Sequence, residues 1–476
     1  MNILLLLPEL TLVVTALVVL LADLVTKEKR ALPVLTVIGL LAALLFAFSM
    51  APVQPDPGAG VPLSIDGFTK LFRYLLIFST LLVVLASHDY ATHHFRGAVS
   101  EYYALMLIAC ASMVVLTAAT ELITLYVALE TSGIALYALS GFLRNRQSSE
   151  AGIKYLVLGG VSSALLLYGM VIFFGITGTT YLPDISQAVQ DTFQVNALPI
   201  LLGIVLLVAG FGFKLASFPF QMWVPDVYQG APTPVTAFLS VVSKAAGFAV
   251  VLRTFYVMLG AQFAFEHWSY IFACLAALTM TLGNVVALQQ RNIKRMMAYS
   301  SIAQAGYLMV GLAVATPSLV GMGSVLLFLV GYAFSNLAAF IAIIAITEST
   351  GTDNISGFAG VARRSPFLAG CLALAMLSLT GIPPTAGFFA KLMVFGFALQ
   401  YGLFWLVLVG VINSVISAFY YIGIVKVLYL GAAPDQAEIQ AGPTLRVALG
   451  VAAILTLVIG VWPDVALNAA FGAIGL

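Results

Sequence analysis

Long apolar runs separated by short polar connections make up nearly the whole chain. A helix that spans a bilayer needs about 20 consecutive apolar residues, and about fourteen segments meet that requirement. The longest connection, 178–197, carries Asp184 and Asp191 and is too short to fold as a soluble domain. The pattern predicts an all-α integral membrane protein with about fourteen transmembrane helices. The predicted spans cover residues 3–25, 32–50, 68–87, 103–119, 121–142, 152–177, 198–223, 233–258, 268–289, 295–315, 320–347, 366–398, 402–430 and 444–462.

Prolines interrupt two of these spans. The seventh contains Pro219, and the twelfth contains the pair Pro383 and Pro384. A proline removes a backbone donor and clashes with the preceding turn. The carbonyls that it frees are tolerated at membrane depth only where they face protein or water. We therefore predict a broken helix at each of these sites.

The two breaks lie five helices apart. An odd interval relates two units by inverted topology, which is typical of transporters. The two breaks differ in one respect. Lys214 precedes the proline of the first break, whereas Lys391 follows the proline pair of the second. We predict an N-terminal three-helix segment at 1–102, five-helix repeats at 103–258 and 259–430, and a C-terminal helix and tail at 431–476.

The composition limits the classes of protein to which this chain can belong. The chain is 62% hydrophobic and 8% charged, whereas soluble domains carry about 25% charged residues. Its net charge of +1 indicates no nucleic-acid partner. The three cysteines lie far apart and form no metal or iron–sulfur pattern, and there is no P-loop, dinucleotide fingerprint or CxxC pair. We therefore predict no cofactor in this chain, so that any transport draws on an ion gradient or a partner subunit.

The basic residues are concentrated on one side of the predicted membrane. When connections are numbered by the helix before them, the odd ones are basic and the even ones are acidic, with Asp56, Asp184, Asp191 and Glu266. The positive-inside rule then places the odd connections in the cytoplasm and both termini on the opposite side. Lys70, Arg73 and Arg253 oppose this trend. The odd connections carry Lys27, Lys29, Arg30, Arg96, Arg144, Arg146, Arg291, Lys294, Arg295, Arg363 and Arg364.

Four ionisable residues interrupt apolar runs inside predicted spans: Glu130, Lys214, Lys244 and Lys391. A charge at the centre of a spanning helix costs about 2.5–3.5 kcal/mol, so four uncompensated charges would cost about 10–14 kcal/mol. Burial disfavours the charged form of both acids and lysines, which brings proton exchange closer to neutral pH. Ionisable residues at membrane depth typically mark ion and proton pathways. We therefore predict that these four residues translocate protons.

A structural role is the alternative for each of them. A protonated Glu130 would bond a neighbouring helix, and Lys214 would extend to a loop, although its apolar flanks oppose this. Lys244 stands beside a stripe of small and polar residues that is also compatible with helix packing. This stripe consists of Thr236, Ser240, Ser243 and Gly247, and the span after Lys391 carries another, of Asn413, Ser417 and Tyr420.

Further polar residues are weaker candidates for the same path. Glu150 and Lys154 form an i,i+4 pair near the predicted cytoplasmic face. A surface pair contributes only about 0.3–0.5 kcal/mol, and a structural role is favoured there. The polar face of the tenth span is equally compatible with helix packing. The predicted secondary polar path comprises Glu150, Lys154, Ser243, Ser300, Gln304 and Asn413.

Two motifs carry a family resemblance. The first is Lys-Leu-Ala-Ser-Phe-Pro-Phe-Gln-Met-Trp-Val-Pro-Asp-Val-Tyr-Gln-Gly-Ala-Pro-Thr-Pro-Val, from Lys214, and it continues to Lys244. The second is Gly-Ile-Pro-Pro-Thr-Ala-Gly-Phe-Phe-Ala-Lys, which ends at Lys391. Over nearly the whole chain, the sequence resembles the proton-conducting, antiporter-like membrane subunits of respiratory complex I. The family has three paralogs, and the segment 226–235 and a lysine rather than a glutamate at 391 are typical of one of them. The chain ends soon after its last predicted span, unlike the largest paralog, which has a long lateral helix.

The resemblance implies a role for each buried charge. Glu130 matches the glutamate that pairs with the lysine at the first break, here Lys214. Lys244 matches the lysine that links two half-channels, and Lys391 matches the gate to the outer side. The family places NADH, flavin (FMN), iron–sulfur clusters and quinone in partner subunits, which include a paralogous antiporter-like subunit and small membrane subunits. It also implies a bacterial inner membrane.

Three other functions remain open on the sequence. A subunit of a multi-subunit Na⁺(K⁺)/H⁺ antiporter shares this fold and these lysines. A scaffold with a vestigial polar axis would retain pumping after all four charges were neutralised. A self-contained solute transporter is disfavoured, because the sequence shows no substrate-sized cluster of polar groups.

Overall fold

The structure is a computed structural model that describes residues 3–26, 29, 31–50, 62–95, 97–260, 262–314, 319–433 and 437–475, with the backbone alone at 3 and 262–267. Four of the charged residues named above lie outside the described residues, namely Lys27, Arg30, Asp56 and Arg96. The side chain of Glu266 is not described either.

The described chain is helical almost throughout, as the apolar pattern predicted. Short 3₁₀ helices at Ile3–Leu6, Phe220–Met222 and Ile355–Phe358 and π-helical turns at Leu239–Ser243 and Thr254–Met258 join the longer elements. The α-helices are α1 Leu7–Val25, α2 Ala31–Ser49, α3 Gly67–Ala86, α4 His88–His94, α5 Val99–Ala118, α6 Leu122–Ser140, α7 Arg146–Thr177, α8 Leu182–Leu215, α9 Trp223–Gly230, α10 Thr233–Phe238, α11 Lys244–Arg253, α12 Gln262–Ala287, α13 Ile293–Ala313, α14 Val320–Thr350, α15 Val361–Arg364, α16 Pro366–Thr380, α17 Ala386–Gln400, α18 Phe404–Leu430, α19 Pro443–Val461 and α20 Pro463–Gly472.

Twelve helical segments of the described chain are long and apolar enough to cross a bilayer, and α16 and α17 are two shorter apolar helices. Two elements are buried almost completely inside the bundle. The continuous segment Thr233–Met258 is 100% buried over its most apolar window, and α14 is 94% buried. A helix that is apolar on all sides is typical of the centre of a large membrane protein. Lys244 begins α11, and Tyr332 lies on α14, so both belong to this centre.

The prediction of a connection at 178–197 is wrong. Helix α8 begins at Leu182 and is interrupted at Asn196, which has non-helical backbone angles (φ −111°, ψ 24°). Leu182, Ile185 and Val189 are all buried, and their spacing places them on one face of a helix. Asp184 and Asp191 occupy the exposed face of the same helix. The two acids therefore belong to an amphipathic extension of α8 and not to a loop.

Both predicted helix breaks are present. Helix α8 ends at Leu215, where Ala216 adopts a left-handed conformation (φ 62°), and the chain continues through a cis peptide bond before Pro219. Side-chain and backbone donors serve the carbonyls freed at this break. Trp223 Nε1 donates to the Phe213 carbonyl at 3.0 Å, and the Ser217 amide donates to the Gly212 carbonyl at 2.9 Å. Two of the carbonyls at the end of α8 therefore keep hydrogen-bond donors.

The second break separates α16 from α17. Gly381 ends α16 with a φ of 93°, a region that strongly favours glycine. The peptide bond between Pro383 and Pro384 is cis, and helix α17 begins at Ala386. The Gly387 amide donates to Ser378 Oγ at 3.1 Å. The start of α17 is thereby tied to the end of α16.

Two basic residues that opposed the charge trend are buried in ion pairs. Arg73 is 1% exposed and contacts Glu9 at 2.7 Å. Arg253 is 5% exposed and donates to Asp66 at 2.8 Å and 3.0 Å. Burial opposes the charged form of the Asp66 carboxyl. The Arg253 guanidinium nevertheless holds the pKa of this carboxyl below its usual range. These arginines tie helices together, which explains why their positions do not follow the distribution of the loop charges.

We predict that Gly387→Ala destabilises the second break. A Cβ at this position would lie 1.8 Å from the Ser378 carbonyl oxygen, which belongs to the backbone and cannot simply move aside. Overpacking of this kind costs about 1–3 kcal/mol. The thermal unfolding midpoint of the purified complex measures the effect. Gly370→Ala in α16 is the matched control, because nothing lies within 4 Å of its Cβ. Equal midpoints for the two variants would contradict the prediction.

Candidate functional site

We call the series Glu130, Lys214, Lys244 and Lys391 the polar axis. Glu130 and Lys214 form its first pair. Glu130 lies in the middle of α6, is half-buried, and accepts a hydrogen bond from Ser163 Oγ of α7. Lys214 lies in the last turn of α8, where the negative end of the helix dipole favours a cation. Glu130 acts electrostatically on Lys214, but the described residues include no direct ion pair between them. The structure therefore shows the pair separated.

A small cavity connects Lys214 with the next helix. Lys214 is 8% exposed, and its Nζ makes no hydrogen bond to any residue that the structure describes. Ser132 and Ser243 line this cavity together with Lys214. Ser243 was predicted to belong to the polar path, and it directly precedes Lys244. The cavity is too narrow to hold a water molecule, but it places Lys214 and Ser243 on opposite sides of the same small gap.

Lys244 is held by the next pair of helices. It is 3% exposed, and its Nζ donates to both the carbonyl and the hydroxyl oxygen of Ser301 in α13. The Lys244 ammonium also lies 5.7 Å from the centroid of the Tyr332 ring, a favourable distance for a cation over an aromatic face. A π-helical turn, Leu239–Ser243, comes directly before Lys244. Such turns occur frequently at functional sites.

Lys391 reaches back across the second break. Its Nζ donates to the carbonyls of Leu379 at 3.1 Å and Thr380 at 2.8 Å, and to Ser414 Oγ at 3.0 Å. The Tyr307 ring centroid lies 4.6 Å from the same nitrogen. An ammonium group has three donors and no acceptor, so these three acceptors match the protonated form. The neutral amine has only two donors for these three acceptors, although the Leu379 carbonyl also accepts from Gln304.

Other predicted polar residues surround Lys391. Ser300 contacts the Tyr421 hydroxyl at 2.5 Å, and Gln304 donates to the Leu379 carbonyl at 3.0 Å and to Tyr421 at 3.2 Å. These contacts join α13 to α16 and α18. They place Ser300 and Gln304 beside the break, next to the carbonyls that Lys391 contacts.

Asn413 belongs to a separate hydrogen-bonded group between α12 and α18. Its amide donates to Thr281 at 3.0 Å and to its own helix at the Val409 carbonyl, also at 3.0 Å. Asn284 donates to Asn413 at 3.2 Å and to the Tyr307 hydroxyl at 2.9 Å. The Tyr307 ring also faces Lys391. Asn413 is therefore linked to Lys391 through Asn284 and Tyr307 and not by a direct hydrogen bond.

Glu150 and Lys154 lie apart from the buried lysines. Lys154 contacts Glu150 at 2.8 Å and Asp226 at 2.7 Å, and Asp226 also contacts Arg295 at 2.7 Å. The Lys154 side chain is 42% exposed, and isolated exposed pairs contribute about 0–1 kcal/mol. The network joins α7, α9 and α13 near their ends. Asp226 therefore fixes the helix that follows the first break.

Three residues of the site, Ser301, Tyr332 and Ser414, are not among those predicted from the sequence. Ser301 contacts Lys244, Ser414 contacts Lys391, and Tyr332 lies between the two lysines. Ser301 and Tyr332 lie 57 and 88 residues from Lys244 along the chain. Ser301 and Ser414 directly follow the predicted residues Ser300 and Asn413, whereas Tyr332 has no such neighbour in the sequence. Among the described residues, no group of three or more His, Cys, Asp or Glu side chains is placed to hold a metal ion.

The chain is similar to known proteins over almost its full length. A family model described as NADH:quinone oxidoreductase/Mrp antiporter, TM, matches residues 119–417. The NADH-quinone oxidoreductase subunit N of Dehalococcoides mccartyi is 44% identical over 470 residues, with 97% of each chain covered. That of Moorella thermoacetica is 41% identical over 451 residues and covers 94% of this chain and 92% of its own length.

Solved structures have the same fold. A chain of respiratory complex I from Thermus thermophilus with bound aureothin has a TM-score of 0.82 and 31% sequence identity, with 97% of this chain and 99% of that chain covered. A chain of the Mrp complex from Dietzia sp. has a TM-score of 0.83 at 20% identity, with 99% and 97% covered. At that identity, the second likeness concerns the fold alone.

Proposed function

The chain belongs to the NADH:quinone oxidoreductase/Mrp antiporter transmembrane family, and on that premise we propose that it serves as subunit N of a proton-translocating NADH:quinone oxidoreductase. It is a translocase subunit of respiratory electron transport, in which NADH oxidation by quinone drives protons across the membrane. The observation that carries the proposal is the placement of three buried lysines along one polar axis that touches both helix breaks.

The proton route follows the geometry of the site. A proton on Lys214 passes by way of Ser243, which lines the same small cavity, to Lys244, which contacts Ser301. From there it passes to the second break, where Lys391 holds it against the Thr380 carbonyl until release to the outer side. The three lysines differ in their hydrogen-bond partners. In this proposal, that difference sets the order in which they pass the proton on. Lys214 has no hydrogen-bond partner among the described residues, whereas the other two lysines do.

The driving step is electrostatic. An approach of Glu130 to Lys214 favours the protonated lysine, and separation of the pair lowers its proton affinity and sends the proton on toward Lys244. Quinone chemistry elsewhere in the complex moves the pair apart through neighbouring charged subunits. The separated arrangement in this structure is one of the two states that such a cycle needs. The chain itself holds no redox centre in this proposal, because NADH, FMN, iron–sulfur clusters and quinone are bound by partner subunits.

The surroundings follow from the same proposal. The two five-helix units, 103–258 and 259–430, form inverted repeats around the breaks. The odd-numbered connections face the cytoplasm, and both termini face the periplasm of a bacterial inner membrane. The partners are a paralogous antiporter-like subunit, small membrane subunits of the complex and the lipid bilayer.

The decisive experiment is affinity purification of the tagged chain from its native membranes. We expect flavin- and iron–sulfur-containing subunits to co-purify, with NADH:quinone oxidoreductase activity in the same fraction. Co-purification with antiporter subunits alone, without NADH oxidation, would instead establish a multi-subunit Na⁺(K⁺)/H⁺ antiporter. Such a protein would exchange sodium for protons without redox input.

A further inference from the structure

Tyr332 lies between the Lys244 site and the Lys391 site. Its hydroxyl is 3.1 Å from the Ser240 carbonyl oxygen and 3.2 Å from Ser301 Oγ. The residue is 3% exposed and belongs to the buried centre of the bundle. Lys244 contacts the same Ser301 hydroxyl and lies over the Tyr332 ring. The Tyr332 hydroxyl is therefore one hydrogen bond away from the group that binds Lys244.

The other side of Tyr332 faces the second break. Its side chain lines a cavity of about 10 Å³ together with Lys391, Gln304 and Ser378. A cavity of about 10–15 Å³ holds a single water molecule when polar groups line it. Tyr332 is thus the residue that borders both the Ser301 contact and the Lys391 cavity. A proton route that runs from Lys244 through Ser301 to the Lys391 cavity therefore passes this side chain.

The hydroxyl has one proton and two acceptors within reach. When the Tyr332 hydroxyl donates to Ser301 Oγ, Ser301 cannot donate to Tyr332 and so cannot pass a proton to it. When Tyr332 donates instead to the Ser240 carbonyl, its oxygen is free to accept from Ser301. Ser240 lies within the π-helical turn that precedes Lys244. The orientation of one hydroxyl therefore decides whether Lys244 is connected to the far half of the axis.

We propose that Tyr332 is the switch between the two half-paths, a proposal that rests on the proton translocation proposed above. In the connected state, the Lys244 ammonium gives a proton to Ser301 Oγ, and the Ser301 hydroxyl proton moves to Tyr332. The Tyr332 hydroxyl turns from Ser240 toward the cavity, and its own proton moves through a water to Lys391, whose amine has already released its proton to the outer side and becomes an ammonium again. One proton crosses, Lys244 is left neutral, and each hydroxyl retains one proton. Both hydroxyls must then rotate back before the next transfer, which opposes backflow.

The structure supplies a matched control for this role. The Tyr228 hydroxyl also lies 3.2 Å from Ser301 Oγ, and Tyr228 is 1% exposed. Tyr228 belongs to α9 and does not line the Lys391 cavity. Loss of either phenolic hydroxyl removes one hydrogen bond to the same serine. Only the loss of the Tyr332 hydroxyl interrupts the connection to Lys391.

The test compares Tyr332→Phe with Tyr228→Phe in the assembled complex in inverted membrane vesicles, with NADH-driven proton uptake as the readout. Lys244→Ala defines the baseline, and the flux that it abolishes is the part carried by this chain. We expect Tyr332→Phe to lower this part about 100-fold, in the range for loss of a positioned proton-transfer group. We expect Tyr228→Phe to keep it, with complex assembly unchanged in both variants. If Tyr332→Phe prevents assembly, Ser301→Ala tests the same transfer from the other side and should give the same loss.

The outcomes separate the two proposals. If Lys244→Ala pumps like the natural sequence, the proposed proton route is wrong. If Lys244→Ala loses flux while assembled Tyr332→Phe retains it, the route stands and the switch is wrong. Equal losses in Tyr332→Phe and Tyr228→Phe would also overturn the switch, because they would indicate a structural role for Ser301 contacts in general. Retained flux in Ser301→Ala would do the same.

Discussion

Lys214→Ala in the assembled complex is expected to abolish the proton flux that this chain carries, while NADH oxidation continues in uncoupled membranes. Lys214 is the one lysine of the axis that faces Glu130 and is free of hydrogen bonds within the described chain. It is therefore the group whose proton affinity responds most directly to the distance from Glu130. Loss of a positioned proton-transfer group lowers rates by about 10²–10⁴-fold. Proton uptake by inverted vesicles, measured per NADH oxidised, reports this effect.

A second substitution at the same position separates charge from proton transfer. Lys214→Arg keeps the positive charge beside Glu130, but a guanidinium group does not release a proton in proteins. We therefore expect Lys214→Arg to pump as poorly as Lys214→Ala. Lys426→Ala is the control, because Lys426 is an exposed lysine on α18 away from the axis. An unchanged ratio of protons to electrons in Lys214→Ala would refute the role of this lysine.

Lys391→Met is expected to combine a loss of proton flux with a loss of stability. The substitution removes the donor that serves the Thr380 carbonyl at the second break, although Gln304 continues to serve Leu379. A buried carbonyl left without a donor costs about 1–3 kcal/mol. The thermal midpoint of the complex should fall, and the flux carried by this chain should fall by the same 10²–10⁴-fold as above.

Lys391→Arg divides these two effects. The guanidinium keeps several donors for the carbonyls at the break but cannot give up a proton. We expect this variant to keep most of the thermal stability and to lose the proton flux. Pumping at the rate of the natural sequence in Lys391→Arg would show that Lys391 stabilises the break without carrying protons.

Much of the architecture could be predicted because its causes are local. The length and apolarity of a segment determine whether it can cross a bilayer, and a proline inside a span removes a backbone donor and favours a break. The wrong prediction of a connection at 178–197 also has a local cause. Two aspartates suggested a loop, whereas the spacing of Leu182, Ile185 and Val189 produces an amphipathic helix that packs on the bundle.

The sequence by itself determined the fold class, the two breaks and the identity of the four ionisable residues, because a charge in an apolar run is visible without any neighbour. The tertiary structure alone decided what each charge contacts. Ser301, which holds Lys244, and Tyr332, which lies beside it, come from segments 57 and 88 residues away. Hydrogen bonds act over about 3 Å between groups that the packing of helices brings together, and no local pattern records that packing. The order of the axis is therefore a property of the folded bundle, whereas its charges are a property of the sequence.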